Sequence, residues 1–181
     1  HAPNTSGLVT GNPTSDYTQK STNHTFFVED RYRISDKTTL IGALQYDKAT
    51  RKVTDVVSAP NNYDHDFSQW SPRVGITHDL SPMQQVFASV SRNFEAPIHG
   101  LAGTTTLATQ AQSGTTFEVG TRGEATDGNS QFGWDATYYR ANLRNEFLSA
   151  CVIPGCQNPT TTNVPKSMHQ GVELGLSHLY A

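Results

Sequence analysis

The stretch SPRVGITHDLSPMQQVFASVSRNFEAP, residues 71–97, holds two runs in which apolar and polar residues alternate, joined by a short turn. The apolar parity comprises Val74, Ile76, Val86, Ala88 and Val90. The opposite parity mixes polar and small side chains with one aromatic ring, and its members are Arg73, Gly75, Thr77, Phe87, Ser89, Ser91 and Asn93. Such alternation predicts two antiparallel β-strands. Because neither face suits an ordinary protein core, the surroundings of the two faces decide the fold.

The composition excludes several classes of protein. The 181 residues suffice for one domain, and a net charge of −3 gives no reason to expect a nucleic acid or an anionic membrane surface as partner. Only 35% of the residues are hydrophobic, and no run approaches the ~18 to 20 apolar residues of a membrane helix. A transmembrane β-barrel stays open, because it needs only ~9 to 11 residues per crossing, with apolar side chains at alternate positions.

Runs with period 2 that are rich in β-branched and aromatic residues predict seven strands, over residues 24–35, 38–50, 67–79, 84–94, 114–124, 131–147 and 165–179. The connections between them alternate in length. Short links have the sequences ISDKTT, DLSPMQ and EATDGNSQ, and long connections span residues 51–66, 95–113 and 148–164. In an antiparallel meander, all short turns then lie at one end of the sheet, which is typical of outer-membrane barrels with short periplasmic turns and long external loops.

The two parities of the strands suit a sheet between lipid and a wet lumen. The apolar parity of the later strands is Phe117 and Val119, then Phe132, Trp134, Ala136 and Tyr138, then Val172, Leu174 and Leu176. The opposite parity carries Gly, Ser and single charges of both signs, whereas Trp134 and Tyr138 suit an interfacial aromatic girdle. The first strand fits less well because Asp30 shares the apolar parity, but the other choice would place one glutamate and two arginines in lipid.

A soluble antiparallel sheet alternates too, since one face packs on a core and the other meets water. A secreted β-sandwich that serves adhesion or carbohydrate binding is therefore the alternative to the membrane barrel. We expect such a module to be soluble and monomeric without detergent.

Cys151 and Cys156 flank the sequence VIPG, and its Pro-Gly pair favours a turn that could bring the two thiols together. We predict a local disulfide, which would place the chain in an oxidising compartment. Two free thiols in a reduced chain are the alternative.

Five segments resemble, in order, the barrel of TonB-dependent outer-membrane receptors. FFVEDRYRISDKTTLIGALQYD (26–47) is similar to a family hairpin that ends in Gly-Leu-Arg-Tyr-Asp. The hairpin at 70–97 resembles the family form Ser-Pro-Arg-x-Gly followed by Tyr-Ala-Ser-x-Ser-x-x-Phe-x-x-Pro. TTFEVGTRGE (115–124), FGWDATYYRANLRNEFL (132–148) and SMHQGVELGL (167–176) follow. The resemblance covers about residues 24–178, with Gln45 where Arg is usual and Phe87 where Tyr is usual.

The resemblance implies an importer with a barrel of about 22 strands. Such a receptor binds a scarce chelate, commonly a ferric siderophore, at its external face and passes it inward when the TonB complex acts on a plug domain. We expect residues 1–181 to be part of that barrel domain in a bacterial outer membrane, without the plug, and truncated at both ends because the chain starts at His1 and stops within the alternating run LGLSHLYA. The expected fold is all-β, an open, curved, antiparallel up-and-down meander of about seven long strands. The implied partners are the chelate, the receptor's own plug, TonB through the plug, and outer-membrane lipid and lipopolysaccharide, but no nucleic acid.

Residues in the long connections and at the outer ends of the inward parities are the candidates for ligand binding. They are Tyr63, His65, Asn93, Phe94, His99 and Tyr139. Aromatic rings and histidines suit a chelate through stacking and hydrogen bonding, although exposed loop residues without a ligand role are the alternative. The run Asp64-His65-Asp66 could form a metal cluster, but carboxylates beside a loop histidine are usually solvated. We therefore expect no bound cofactor, with iron carried only inside a chelate.

A second set of inward residues has charges of both signs: Glu29, Arg31, Arg33, Arg73, Glu118, Arg122 and Glu173. Two interpretations are open for this set, either a docking surface for the plug or a lumen network that satisfies itself and its waters. We expect no enzyme activity, because the sequence has no Gly-x-Ser-x-Gly, His-Glu-x-x-His or phosphate-binding loop.

Overall fold

A computed structural model describes residues 16–57, 62–97, 110–150 and 160–180. It contains seven strands: β1 (Tyr17–Ser35), β2 (Thr38–Asp55), β3 (Tyr63–Ser81), β4 (Gln84–Glu95), β5 (Gln112–Asp127), β6 (Ser130–Ala150) and β7 (Thr160–Tyr180). The predicted disulfide between Cys151 and Cys156 lies outside the described residues and stays a prediction. Within the described ranges no helix is long and apolar enough to cross a membrane.

The seven strands form one sheet in the order β1-β2-β3-β4-β5-β6-β7, and each strand pairs antiparallel with its neighbours in sequence. Strands β1 and β7 are the two edges of this sheet, so the sheet is open rather than closed into a barrel. The predicted all-β open meander is confirmed. The described residues form a single sheet and not two packed sheets, which argues against the β-sandwich alternative.

The connections at one end of the sheet are tight. Only two residues separate β1 from β2, β3 from β4, and β5 from β6. In the last of these turns Gly128 has φ of +56°, a conformation that glycine adopts without steric cost. The longer connections all lie at the opposite end, as the sequence predicts, and that end is the external one in an outer-membrane barrel.

Several strands are longer than the sequence predicts. Strand β1 begins at Tyr17, β2 continues to Asp55 and β3 begins at Tyr63, so the predicted long connection over 51–66 is wrong at both of its ends. The ladder continues there through pairs such as Thr22 with Thr50 and Arg51 with His65. Both faces carry polar residues in this region, and the alternation that marks a strand in the sequence is therefore lost although the backbone hydrogen bonds persist.

The side chains of the predicted apolar parity share one face of the sheet, which we call the outer face. The register places Val28 opposite Leu44, Val74 opposite Val90, Ala88 opposite Val119, and Tyr138 opposite Val172. Many of these side chains are exposed, and the exposed fraction reaches 54% for Val119, 75% for Leu174 and 89% for Leu176. A contiguous apolar surface of this kind marks contact with a partner or a membrane.

Little is buried inside the sheet itself. Among the described residues the only buried hydrophobic side chains are Ala49 and Ala96, and no side chain is completely buried. A single layer of strands cannot enclose a core, so among the described residues no second layer of protein covers the apolar outer face. The prediction that Asp30 shares the outer face of β1 with the apolar residues is also correct, because Asp30 lies opposite Gly42 on that face.

Aromatic rings lie toward both limits of the apolar band. Tyr46 and Trp70 contact each other on the outer face toward the external end, with ring centroids 4.7 Å apart. Phe132 stacks on His178 toward the tight-turn end, with ring centroids 4.4 Å apart. Aromatic residues in such positions are typical of the two membrane interfaces of a transmembrane barrel.

Candidate functional site

The opposite side of the sheet, the inner face, carries the polar parity of every strand. One row runs across Glu29, Ala43, Arg73 and Ser91, and the next row includes Ser89, Glu118, Tyr139 and Gly171. The strand register places each of these side chains on the inner face. A slip of one residue in that register would move the whole set to the outer face.

Five of the predicted site residues line one groove on the inner face, together with an aromatic ring that the sequence analysis missed. This inner groove has a volume of about 490 Å³, and its lining includes Phe27, Glu29, Arg73, Asn93, Phe94 and Glu118. The Ser89 hydroxyl donates a hydrogen bond to Glu118 Oε2 at 3.0 Å. The groove thus combines aromatic surface, an amide and charges of both signs within reach of one bound molecule.

Phe27 is 77% exposed, and the residues next to it on the same face of β1 are polar. It lies opposite Gln45 on the inner face, so it does not belong to the apolar face. The available signal was the pair Phe26-Phe27, since two consecutive aromatic residues in a strand must point to opposite faces.

The predicted inward charges divide into two groups. Arg31 Nε donates to Glu29 Oε1 at 2.9 Å, and Arg122 donates to Gln85 Oε1 through Nε at 3.1 Å and Nη2 at 2.6 Å. Within the parts of the chain that the structure describes, no carboxylate or cation forms a salt bridge with Arg33, Arg73 or Glu173. The first group fits a network that satisfies itself, and the second group is left for other partners.

Arg122 also contacts an aromatic ring. Its guanidinium carbon lies 5.7 Å from the centroid of Phe87, which is within the range of a cation–π interaction. The Phe87 ring in turn covers Gly120 on the neighbouring strand. The aromatic residue that stands out on the polar parity of the opening hairpin is therefore packed against its own sheet.

Tyr63 and His65 lie in β3 rather than in a loop, which corrects the prediction that they belong to the long connection. Together with Phe67 they form a ladder of rings along the strand, with successive centroids 5.7 and 5.0 Å apart. These residues lie beyond the apolar band, toward the external end. Partial burial raises the pKa of the Tyr63 phenol above its ordinary value, and the nearby positive charge of Arg51 acts in the opposite direction.

Arg51 is a central residue of the external end that the sequence analysis did not identify. Its exposed fraction is 8%, and its guanidinium donates to the Pro97 carbonyl at 2.9 Å and to Asn23 Oδ1 at 2.7 Å. The chain that leaves β4 is therefore attached to the inner face of β1 and β2, where Ala49 is buried and lines a groove together with Ala96. Only the tertiary contact distinguishes Arg51 from other arginines, so the sequence carried no signal for it.

The run Asp64-His65-Asp66 does not converge on one point. The two carboxylates lie on the outer face, where Asp64 forms a salt bridge with Lys52 at 3.1 Å and Asp66 one with Lys48 at 3.5 Å. The imidazole of His65 lies on the inner face among the rings. Over the described residues, no group of three or more His, Cys, Asp or Glu side chains is placed to hold a metal ion.

Tyr139 lies on the inner face directly opposite Glu118 but is not among the residues that line the inner groove, and its ring lies over Gly171 of β7. The sequence analysis also missed a contact between β6 and β7 nearer to the external end of these strands. Asn145 has φ of +55°, which interrupts the alternation and lets Glu146 reach His169 Nε2 at 3.0 Å. The remaining candidate, His99, lies outside the described residues.

Comparisons with known proteins agree with this geometry. The family described as "TonB dependent receptor-like, beta-barrel" matches residues 1–180. No curated protein matches the chain.

Three solved structures are similar in fold. The alcaligin outer-membrane receptor FauA from Bordetella pertussis has 16% identity and a TM-score of 0.65, with 89% of this chain and 28% of that chain covered. The copper transporter OprC has 19% identity and a TM-score of 0.70, with 87% and 26% covered. The ferric-catecholate import receptor Fiu from K12 E. coli has 14% identity and a TM-score of 0.62, with 88% and 26% covered.

The chain therefore spans 26 to 28% of the length of these three receptors, and identities this low show a shared fold alone. The family match covers nearly the whole chain and agrees with the open meander, its apolar outer face and its polar inner face. The chain belongs to the TonB-dependent receptor β-barrel family of the bacterial outer membrane.

Proposed function

We propose that this chain forms part of the wall of an outer-membrane importer that takes up a metal chelate, most specifically a ferric siderophore, with energy delivered by TonB. The observation that carries the proposal is the inner groove on the face opposite to the apolar one. A sheet with lipid on one side and a binding groove on the other is the wall of a transport lumen. The proposed role is transport, with no catalytic step.

The chemistry of the inner groove suits an organic chelate. Phe27 supplies aromatic surface for stacking, and the Asn93 amide can both donate and accept hydrogen bonds. The Arg73 guanidinium has no ionic partner among the described residues and can bind the oxygens of an anionic chelate in a bidentate manner. A few polar groups on an aromatic surface are the usual composition of a small-molecule site.

The plug domain is the second partner that we propose for the inner face. Arg33 and Glu173 project there without a salt bridge to any described residue. Charges of both signs on a lumen wall can pair with opposite charges on a domain that fills the lumen. The pull of TonB would then reach the wall through these contacts.

Uptake of radioactive iron by cells tests the proposal. Cells whose only siderophore receptor carries this chain should accumulate iron from at least one ferric siderophore of a panel, and the double substitution Phe27→Ala with Arg73→Ala should lower that uptake by about tenfold or more. The control is Lys52→Ala on the outer face, which should leave uptake unchanged. Import of copper or haem by the same cells, with no iron from any siderophore, would contradict the proposed substrate.

A further inference from the structure

Asp30 places a carboxylate within the apolar outer face of β1. On that face it lies between Val28 and Tyr32, whose side chains are 63% and 66% exposed. Asp30 is four positions along β1 from Phe26, which pairs with Tyr46 at the external limit of the apolar band. At about 3.3 Å per residue and a tilt near 40°, Asp30 lies about 10 Å from that limit, near the middle of a band about 25 Å tall. A carboxylate at this depth is costly unless a partner neutralises it.

The described part of the chain supplies no cation to this carboxylate. None of the salt bridges among the described residues includes Asp30, and the nearest arginines in sequence, Arg31 and Arg33, lie on the inner face. Across the ladder, Asp30 meets Gly42 of β2, which has no side chain and has open space beside it. The next residue in that row is the apolar Val74 of β3. The row that contains Asp30 therefore offers no partner on the β2 side.

The other side of β1 is an unpaired edge of the sheet, and the carboxylate lies beside it. The backbone N–H of Arg31 donates to Asp30 Oδ1 at 2.9 Å. An N–H directed toward β2 takes part in the ladder, so an N–H that bonds a side chain in this way belongs to the unpaired edge. A strand that paired with this edge would take the N–H into its own ladder. Asp30 would then need another donor from that strand.

We propose that a neighbouring strand of the full-length receptor pairs with the free edge of β1 and places an arginine or lysine on its outer face directly opposite Asp30. A closed barrel leaves no strand edge unpaired, and the chain covers only 26 to 28% of three similar receptors. Directly opposed side chains on neighbouring strands have Cβ atoms about 5 Å apart, which is within reach of an ion pair.

The ion pair would set the register of this seam of the barrel. A slip of one residue would turn the cation toward the lumen and leave Asp30 alone in lipid, so only one pairing of the two strands neutralises both charges. This inference rests on the location in the outer membrane and not on the substrate that the receptor imports.

Urea unfolding of the purified full-length receptor that carries this chain, in phospholipid vesicles, tests the pair. Asp30→Leu should lower the ratio of folded to unfolded receptor by about a hundredfold or more, because it leaves a cation unpaired in the membrane. If Asp30 met only lipid, the same substitution would remove a lipid-exposed charge and would raise that ratio. A ratio equal to or above that of the parent receptor therefore overturns the proposal. The matched control Val28→Leu, on the same face of β1, should stay within about twofold of the parent, and Asp30→Glu should retain most of the stability.

Two further arms identify the partner. The infrared difference spectrum between the parent receptor and Asp30→Asn should contain the bands of an ionised carboxylate, and the band of a protonated carboxyl group would overturn the proposal. A cation supplied by a second membrane protein is the other outcome that overturns it: Asp30→Leu would then destabilise the receptor in native outer membranes but not as a purified monomer. If Asp30→Leu does not assemble in vesicles, Asp30→Asn carries the unfolding test, with a loss of about tenfold expected. A receptor that imports no siderophore would still contain this pair, so the two proposals fail separately.

Discussion

Gly120 lies beneath the ring of Phe87 on the inner face, and a larger residue has no room there. A methyl group at position 120 would lie 2.6 Å from both the Ala136 carbonyl oxygen and Phe87 Cζ. Because the carbonyl belongs to the sheet backbone, the strand would have to shift, and we expect Gly120→Ala to lower the free energy of unfolding by about 1 to 3 kcal/mol.

Unfolding of the receptor in detergent by a denaturant series measures this change. The matched control is Gly175→Ala on the same face, where the added methyl group would meet only Asp135 Cβ at an ordinary 3.7 Å. Equal unfolding free energies for the two variants would show that the Phe87 contact does not constrain position 120.

Asp66 gives the external end a weak dependence on pH. The Thr50 hydroxyl donates to Asp66 Oδ1 at 2.7 Å and Lys48 lies 3.5 Å away, and both interactions hold the pKa of this carboxyl below its ordinary value of 3.8. A lowered pKa in the folded state stabilises the fold above the unfolded pKa, and this contribution is lost as the pH falls through the folded value. The stability difference between the parent receptor and Asp66→Asn should therefore shrink below about pH 4. Urea midpoints from about pH 7 to about pH 3 check it; a difference that grows on acidification would contradict it.

At the scale of the strand, the alternation of faces governs tolerance to charge. Val119 on β5 lies on the outer face between Ala88 and Tyr138, whereas Thr137 lies on the inner face between Gly120 and Glu173. An arginine in contact with lipid near the bilayer midplane costs ~2 to 4 kcal/mol. Val119→Arg should therefore reduce assembly into the outer membrane far more than Thr137→Arg does.

The fraction of receptor that migrates as a folded, heat-modifiable barrel measures assembly of these two variants. Leu174→Arg, with 75% of its parent side chain exposed on the outer face, should behave like Val119→Arg. Equal assembly of all three variants would mean that the outer face does not meet lipid.

The sequence was sufficient for the strands that cross the apolar band and insufficient beyond it. Residues 38–47 and 71–79 alternate because one side meets apolar surroundings, and their strands and parities are correct. Above Tyr46 both sides are polar, so residues 51–55 and 63–66 lost the period-2 pattern and were predicted as a connection. What extends these strands is the hydrogen-bonded ladder between them, and a single-sequence pattern does not record that ladder.

The candidate site was predictable in part for the same reason. The parity of each strand assigned Glu29, Arg73 and Glu118 to the inner face, and the structure brings these three into one groove. Parity alone could not identify Arg51, whose hydrogen bond to the Pro97 carbonyl depends on how the chain folds back after β4. Likewise, the contact of Glu146 with His169 requires the positive φ of Asn145, which no alternation pattern predicts.

At the scale of the whole molecule, the open edges of the sheet limit how this chain can behave alone. Among the described residues, strands β1 and β7 each pair on one side only, and the outer face exposes large apolar side chains. Unpaired edges and apolar patches favour aggregation. We expect the isolated 181-residue chain to aggregate in buffer without detergent and to show no cooperative thermal transition.

Light scattering and circular dichroism on the refolded chain test this expectation, with the same chain in detergent micelles as the control. A monomer that melts in one cooperative transition in plain buffer would contradict it and would favour a soluble β-sandwich.

Strands β1, β2 and β3 extend far past the ring pair Tyr46–Trp70, so each strand has one part beside lipid and one part in water. Asp55 lies nine positions after Tyr46, and at about 3.3 Å per residue and a tilt near 40° this length raises the ends of these strands about 20 Å above the apolar band. A solute that approaches from the external side therefore meets protein well before it reaches the lipid headgroups. A charged residue introduced at position 44 would face lipid and would be destabilising, whereas the same residue at position 50 would be solvated. Both positions lie on the outer face of one continuous strand. The amino-acid sequence of the external strand ends can therefore vary without the requirement for apolar outward side chains that the bilayer imposes. The strand pairing that supports this region stays the same.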